Sequence, residues 1–174
     1  IHGGLVVVVA DDPGQHSSQN EQDSRLFADM AKTICLEPAN GQEAYEMTRQ
    51  AFDLSEQFKI PVVIRLVTRL AHSRSPVETT TPLAERPFSK AIDINTWNLL
   101  PATSRKQWKK LLSEQDRFEE FSCQFGFNNL TIDQGSELGV ITTGTARNYF
   151  LETIDEMEVR PTHLHIASYP IPRR

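Results

Sequence analysis

Leu5–Arg25, LVVVVADDPGQHSSQNEQDSR, is the stretch on which the fold turns. Leu5, Val6, Val7, Val8, Val9 and Ala10 make an unbroken apolar run rich in β-branched residues. A run this short, with no polar alternation, reads as a strand over Leu5–Ala10 buried on both faces, as in a parallel sheet. Asp11-Asp12-Pro13-Gly14 ends it: Pro removes a donor and Gly permits unusual dihedrals, so the chain turns there. Everything from Gln15 to Gln22 is polar. In open parallel sheets, ligands lie beyond the carboxyl ends of the strands, so this loop occupies the position of a site. A solvated loop is the plainer reading. It is disfavoured by composition, because Ser17, Ser18, Gln19, Asn20 and Gln22 are neutral donors and acceptors suited to a heteroaromatic ring or a carbonyl.

Downstream, Ser18 or Asn20 is placed to cap a helix over Glu21–Thr33, with Leu26, Phe27, Met30 and Ala31 as its buried stripe. Ile34-Cys35-Leu36 is a short strand stopped by Glu37-Pro38, and Cys35 reads as inert core packing. Asn40 and Glu43 have capping-box spacing and open a helix over Gly41–Phe58. Its apolar face is Ala44, Met47, Ala51, Leu54 and Phe58. Pro61 introduces the strand Val62–Val67. Alternating strands and helices across Leu5–Val67 imply an α/β fold with Leu5–Ala10 and Val62–Val67 parallel in one sheet. Arg65, Arg69, His72 and Arg74 follow at the end of that strand, either as surface cations or as recognition of an anion or a neighbouring domain.

Periodicity is interrupted from Thr79 to Pro101, which marks a linker. Thr103–Gln124 reads as one long helix with the stripe Trp108, Leu111, Leu112, Phe118, Phe121 and Phe125. Leu138–Thr143, a helix from Thr145 to about Met157, and Thr162–Ser168 begin a second α/β unit with its own parallel strand pair. Tyr169-Pro170-Ile171-Pro172 is expected to lead away from that sheet. Gly139 and Gly144 lack the spacing of a dinucleotide fingerprint. His163 and His165 share one side of their strand, as metal ligands do, but without a third ligand they read as packing.

The 174 residues are 39% hydrophobic and 24% charged, with 18 Lys and Arg against 23 Asp and Glu. The resulting charge of −5 offers no footprint for nucleic acid or an anionic membrane. No apolar run reaches the roughly 20 residues of a membrane span. Two isolated cysteines suit a reducing, cytoplasmic setting and cannot hold an iron–sulfur cluster alone. Ile1 opens almost directly into a buried-type strand, so the chain reads as an internal fragment of a longer polypeptide. Among chemical roles, His16 suits acid–base work or carbonyl positioning, or it simply ties the loop. Asp11-Asp12 is a weak candidate for a divalent cation.

DDPGQHSSQNEQDSR at Asp11–Arg25, Glu37-Pro38, QEAYEM at Gln42–Met47 and PVVIRLVTRLAHSRSPVE at Pro61–Glu78 together resemble one family. This is the alpha-subunit family of the indolepyruvate ferredoxin oxidoreductases, which are thiamine-diphosphate-dependent 2-oxoacid oxidoreductases. The resemblance is dense over Gly3–Glu78 and returns at Leu138–Pro172; Gln15 stands where the family more often has Met. It implies that residues 1–78 are the latter part of a pyrimidine-binding domain and 79–130 a linker and helix. Residues 131–174 would start a second, transketolase C-terminal-like α/β domain. The implied activity is coenzyme-A-dependent oxidative decarboxylation of an arylpyruvate. The full-length enzyme would carry thiamine diphosphate, Mg and [4Fe-4S] clusters, with a beta subunit and ferredoxin as partners and an oligomeric assembly. His16 is then the catalytic candidate, and Asp12, Ser17, Ser18, Gln19 and Asn20 face substrate or cofactor. The glutamate that activates the cofactor, the diphosphate–magnesium motif and the cysteine-rich segment are expected outside this stretch, so these residues alone are expected to be inactive and to bind no cofactor fully. A non-catalytic α/β assembly module, or a related pyruvate or 2-oxoglutarate enzyme, is the alternative.

Overall fold

A computed structural model describes residues 3–85, 98–158 and 160–172. In chain order the elements are β1 (Val6–Asp11), α1 (Arg25–Met30), β2 (Ile34–Leu36), α2 (Gly41–Phe58), β3 (Val62–Val67) and the single turn α3 (Thr68–Ala71). Then follow α4 (Pro101–Ser113), α5 (Gln115–Gln124), β4 (Asn129–Thr131), β5 (Gly139–Thr143), α6 (Ala146–Ile154), β6 (Thr162–Ile166) and β7 (Ser168–Tyr169). The fold is α/β with two mixed sheets, of order β1-β3-β2-β7 and β4-β6-β5.

The parallel pairs expected from the apolar runs are present. β1 lies beside β3 in register from Val6 opposite Val62 to Asp11 opposite Val67, and β2 flanks β3 on its other side. In the second sheet β5 and β6 are parallel, with β4 antiparallel to β6. α2 spans the expected residues. Glu43 donates its amide to the Asn40 side chain at 2.9 Å, and its carboxylate takes the Ala39 amide at 2.8 Å. The helix ends where Lys59 adopts φ 60° and donates to the Ser55 carbonyl. Its face of Met47, Ala51, Leu54 and Phe58 packs on Ile34, Leu36, Val62 and Ile64. Each large side chain buried there contributes about 1.5–3 kcal/mol. Cys35 is fully buried, and burial pushes its thiol up to about 12.

Four expectations are corrected. β1 is not covered on both faces: it is the edge of its sheet among the described strands, and Val8 is 58% exposed. The helix expected over Glu21–Thr33 is the shorter α1, with Ser24 at its N-cap. Ser18 and Asn20 do not cap it, because the Ser18 hydroxyl donates to Asp12 and the Asn20 side chain accepts from Gln22. Its stripe is also reversed, with Leu26, Phe27 and Met30 at 71, 66 and 69% exposure and Ala28 buried instead. A short helix lying close to the sheet is seated through its smallest side chain.

The long helix is two, α4 and α5, parted at Glu114. The break sends Phe118 and Phe125 into the core, with Phe118 edge-on to Phe58 at 5.2 Å, while Trp108 and Leu112 stay exposed. Finally, Thr162–Ser168 is not one strand leading away from its sheet at Tyr169. β6 stops at Ile166, and β7 crosses to pair antiparallel with β2, Tyr169 opposite Cys35. That crossing ties the second α/β unit to the first. Of the linker expected over Thr79–Pro101, residues 86–97 lie outside those described.

Candidate functional site

The polar loop begins where β1 ends, and one side chain shapes it. Gly14 at φ 84° and Gln15 at φ 56° reverse the chain, with the Gln15 amide donating to the Asp12 carbonyl. The left-handed conformation at Gly14 is one that glycine adopts without steric cost. The Asp12 carboxylate then accepts the amides of His16, Ser17 and Ser18 at 3.0, 2.6 and 2.7 Å. The Ser18 and Thr68 hydroxyls donate to it as well, at 2.8 and 2.6 Å. A carboxylate has about four lone-pair sites, so these donors saturate it. Thr68 foremost, and the loop amides with it, hold the Asp12 carboxyl well below its ordinary value. Gln22 completes the frame by accepting the Asp12 amide.

Asp11, its neighbour, faces a different set of partners. Its carboxylate accepts from the Ser24 amide and hydroxyl and from Arg65 Nε at 2.5 Å. Burial opposes its charge, but those bonds outweigh burial and keep its carboxyl below the ordinary range. Arg65, only 3% exposed, also donates to Glu37. Glu37 accepts from the Tyr169 hydroxyl at 2.8 Å and lies 3.8 Å from Arg25, whose guanidinium clamps both oxygens of Asp23. Arg25 reaches on to Thr143 in the second sheet. Gly144 fits against Glu37 because a Cβ there would stand 2.6 Å from its carboxylate oxygen. Two further bonds, Arg147 to Glu43 and Asn148 to the Ala39 carbonyl, hold α6 beside α2.

This packing leaves a cleft of about 180 Å3 between the loop and α6, lined by Pro13, His16, Val67, Thr68, Arg69, Thr145, Ala146 and Tyr149. A second cleft of about 290 Å3 shares Arg69, Thr145 and Tyr149 with it. His16 is exposed and so reaches the first cleft from the loop. Ser17, Gln19 and Asn20 are exposed too, while Ser18 and Asp12 are occupied in holding the loop. With its lone pairs saturated, Asp12 is not free to ligate a cation, and Asp11 is engaged by Ser24 and Arg65. The neutral edge formed by Ser17, Gln19 and Asn20 fits a polar heteroaromatic ring better than it fits a metal ion.

His163 and His165 both contact the Thr142 hydroxyl, at 2.8 and 3.1 Å, and the His163 ring lies tilted against Phe150, centres 4.1 Å apart. Burial brings His165 down to about 4, so it is neutral packing. Reading residues alone missed Thr68, Gln22, Ser24, Glu37 and Tyr169 as supports of the site. A signal existed for the ion network: Arg65 interrupts the apolar run Val62–Val67 and Asp11 closes the run beside it, and a buried charge needs a partner.

Along 99% of its length the chain is 36% identical to the indolepyruvate oxidoreductase subunit IorA of Methanothermobacter marburgensis. It is 35% identical to the same subunit of Archaeoglobus fulgidus and 34% to that of Thermococcus kodakarensis, again over 99% of the chain. The chain spans 28% of the length of each of these curated relatives. No family model matches it and no solved structure matches it. By descent, therefore, this chain is a relative of the IorA subunits of indolepyruvate oxidoreductase and corresponds to one segment of them.

Proposed function

We propose that this chain is part of the catalytic subunit of an indolepyruvate ferredoxin oxidoreductase, and that His16, Ser17, Gln19 and Asn20 border the reacting end of its cofactor and substrate. The single observation that carries the reading is the Asp12 cradle. A saturated carboxylate fixes the backbone of residues 16–18 and leaves neutral ring-reading side chains outward at the carboxyl ends of β1 and β3. Preorganised donors of this kind are what a site of developing charge requires. Thiamine diphosphate, when bound, supplies the carbanion chemistry of 2-oxoacid decarboxylation. The loop residues orient the reactants, and His16, at the cleft, holds or moves a proton near the 2-oxo group.

In this reading residues 1–78 serve as the latter part of the pyrimidine-binding domain and residues 131–174 open the next, with 79–130 between them. β7 joins the two physically. Mg, [4Fe-4S] clusters, a beta subunit, ferredoxin, coenzyme A and a cytoplasmic setting belong to the same proposal. Assay of the complete subunit with its partner tests it: indolepyruvate should be oxidised with release of CO2 and reduction of ferredoxin, dependent on coenzyme A. A complete, folded enzyme that oxidises no arylpyruvate contradicts it.

A further inference from the structure

We infer that Arg69 recognises the carboxylate of the 2-oxoacid at the cleft between the His16 loop and α6. The inference deepens the proposed function and rests on its assignment of a 2-oxoacid substrate.

Arg69 is exposed on the single turn after β3, at the wall shared by both clefts. The guanidiniums of Arg25, Arg65, Arg117, Arg147 and Arg160 each meet a carboxylate within 4.0 Å. Arg69 meets none among the described residues. Its Nη1 donates to the Tyr149 hydroxyl at 2.6 Å, and its charge lies 5.5 Å from the centre of the Tyr149 ring. A neutral phenol orients the guanidinium without neutralising it, so the site retains one positive charge and a fixed fork of donors.

The rest of the lining explains what that charge meets. Pro13, Val67, Ala146 and the Tyr149 ring give the smaller cleft an apolar surface, while His16 and Thr68 supply the polar atoms. An apolar body with one anionic end and an adjacent carbonyl matches this distribution, and an arylpyruvate has that form. One cation without a carboxylate partner among the described residues balances a monoanion. The phosphates of coenzyme A carry several charges and call for a cluster of cations. Tyr149 is on α6 and Arg69 on α3, so the pair also ties substrate recognition to the contact between the two sheets.

The test uses the complete enzyme with its partner subunit. Arg69→Gln should raise the KM for indolepyruvate on the order of 10- to 100-fold, the effect of losing a charge-assisted bond, with kcat changed less than about threefold. Arg69→Lys should recover part of the loss, since it restores charge without the fork. Wild-type enzyme should be inhibited by indole-3-acetate much more strongly than by neutral indole-3-acetamide, and Arg69→Gln should abolish that preference. An unchanged KM for indolepyruvate, or no preference for the acid in the wild type, overturns the inference. So does a rise confined to the KM for coenzyme A, which assigns Arg69 to phosphate. A wild-type enzyme inert towards indolepyruvate but active on another 2-oxoacid refutes the proposed substrate, while the same KM shift on that acid upholds Arg69.

Discussion

Asp11 and Asp12 stand side by side at the end of β1 and organise two regions of opposite character. Asp11 faces inward to Arg65 and Ser24, in a network that continues through Glu37 to Tyr169 and, by way of Arg25, to Thr143 of the second sheet. Asp12 faces the loop and is surrounded by its amides and by Thr68. One carboxylate joins distant elements; the other holds the amides of residues 16–18 and the hydroxyls of Ser18 and Thr68, and leaves His16, Ser17 and Gln19 exposed. The first arrangement ties elements of the fold together, and the second fixes the loop that we propose as the site.

The largest effect is expected at Asp11. Asp11→Ala leaves a buried guanidinium short of a partner, so the domain should lose about 3–5 kcal/mol of stability. Urea denaturation measures this; a loss below about 1 kcal/mol would mean that the network contributes little. Glu37→Gln is milder, because it keeps the shape and removes only the charge facing Arg65 and Tyr169. A loss of about 2 kcal/mol is expected, and the melting temperature of the variant checks it.

Asp12 should act locally. Asp12→Ala is expected to lower melting less than Glu37→Gln does, while speeding amide exchange at Ser17 and Ser18. The pH dependence has a definite sign. A carboxyl held below its ordinary value of 3.8 stabilises the loop fully above that pH and loses its effect only as pH falls through the lowered value. Protection of the Ser17 and Ser18 amides should therefore persist down to about pH 4. Its collapse near pH 5 would show that Asp12 is not the anchor.

Much of this division is legible from residues. The apolar runs Leu5–Ala10 and Val62–Val67 locate the parallel pair, and Asn40 with Glu43 locates the start of α2 because the cap is local chemistry. The neutral composition of Ser17–Asn20 marks the loop. What is not legible depends on contacts distant in sequence. Thr68 meets Asp12 across 56 residues and Tyr169 meets Glu37 across 132, and no periodicity encodes either. Leu26, Phe27 and Met30 have the spacing of a buried stripe, yet α1 approaches the sheet through Ala28. The break at Glu114 is equally tertiary, since the stripe of Thr103–Gln124 continues through it while Phe118 turns onto Phe58.

We propose that the loop serves the reaction and that Asp12 serves the loop. The most direct measurement pairs turnover with thermal melting for the His16→Ala, Gln19→Ala double variant of the complete enzyme. Both substitutions keep the backbone amides that Asp12 binds and remove only outward side chains, so stability should change by about 0.5 kcal/mol or less. Indolepyruvate turnover should fall on the order of 100-fold, as when a fixed donor beside developing charge is removed. Wild-type turnover in a variant that melts at the wild-type temperature would show that the loop is not the site.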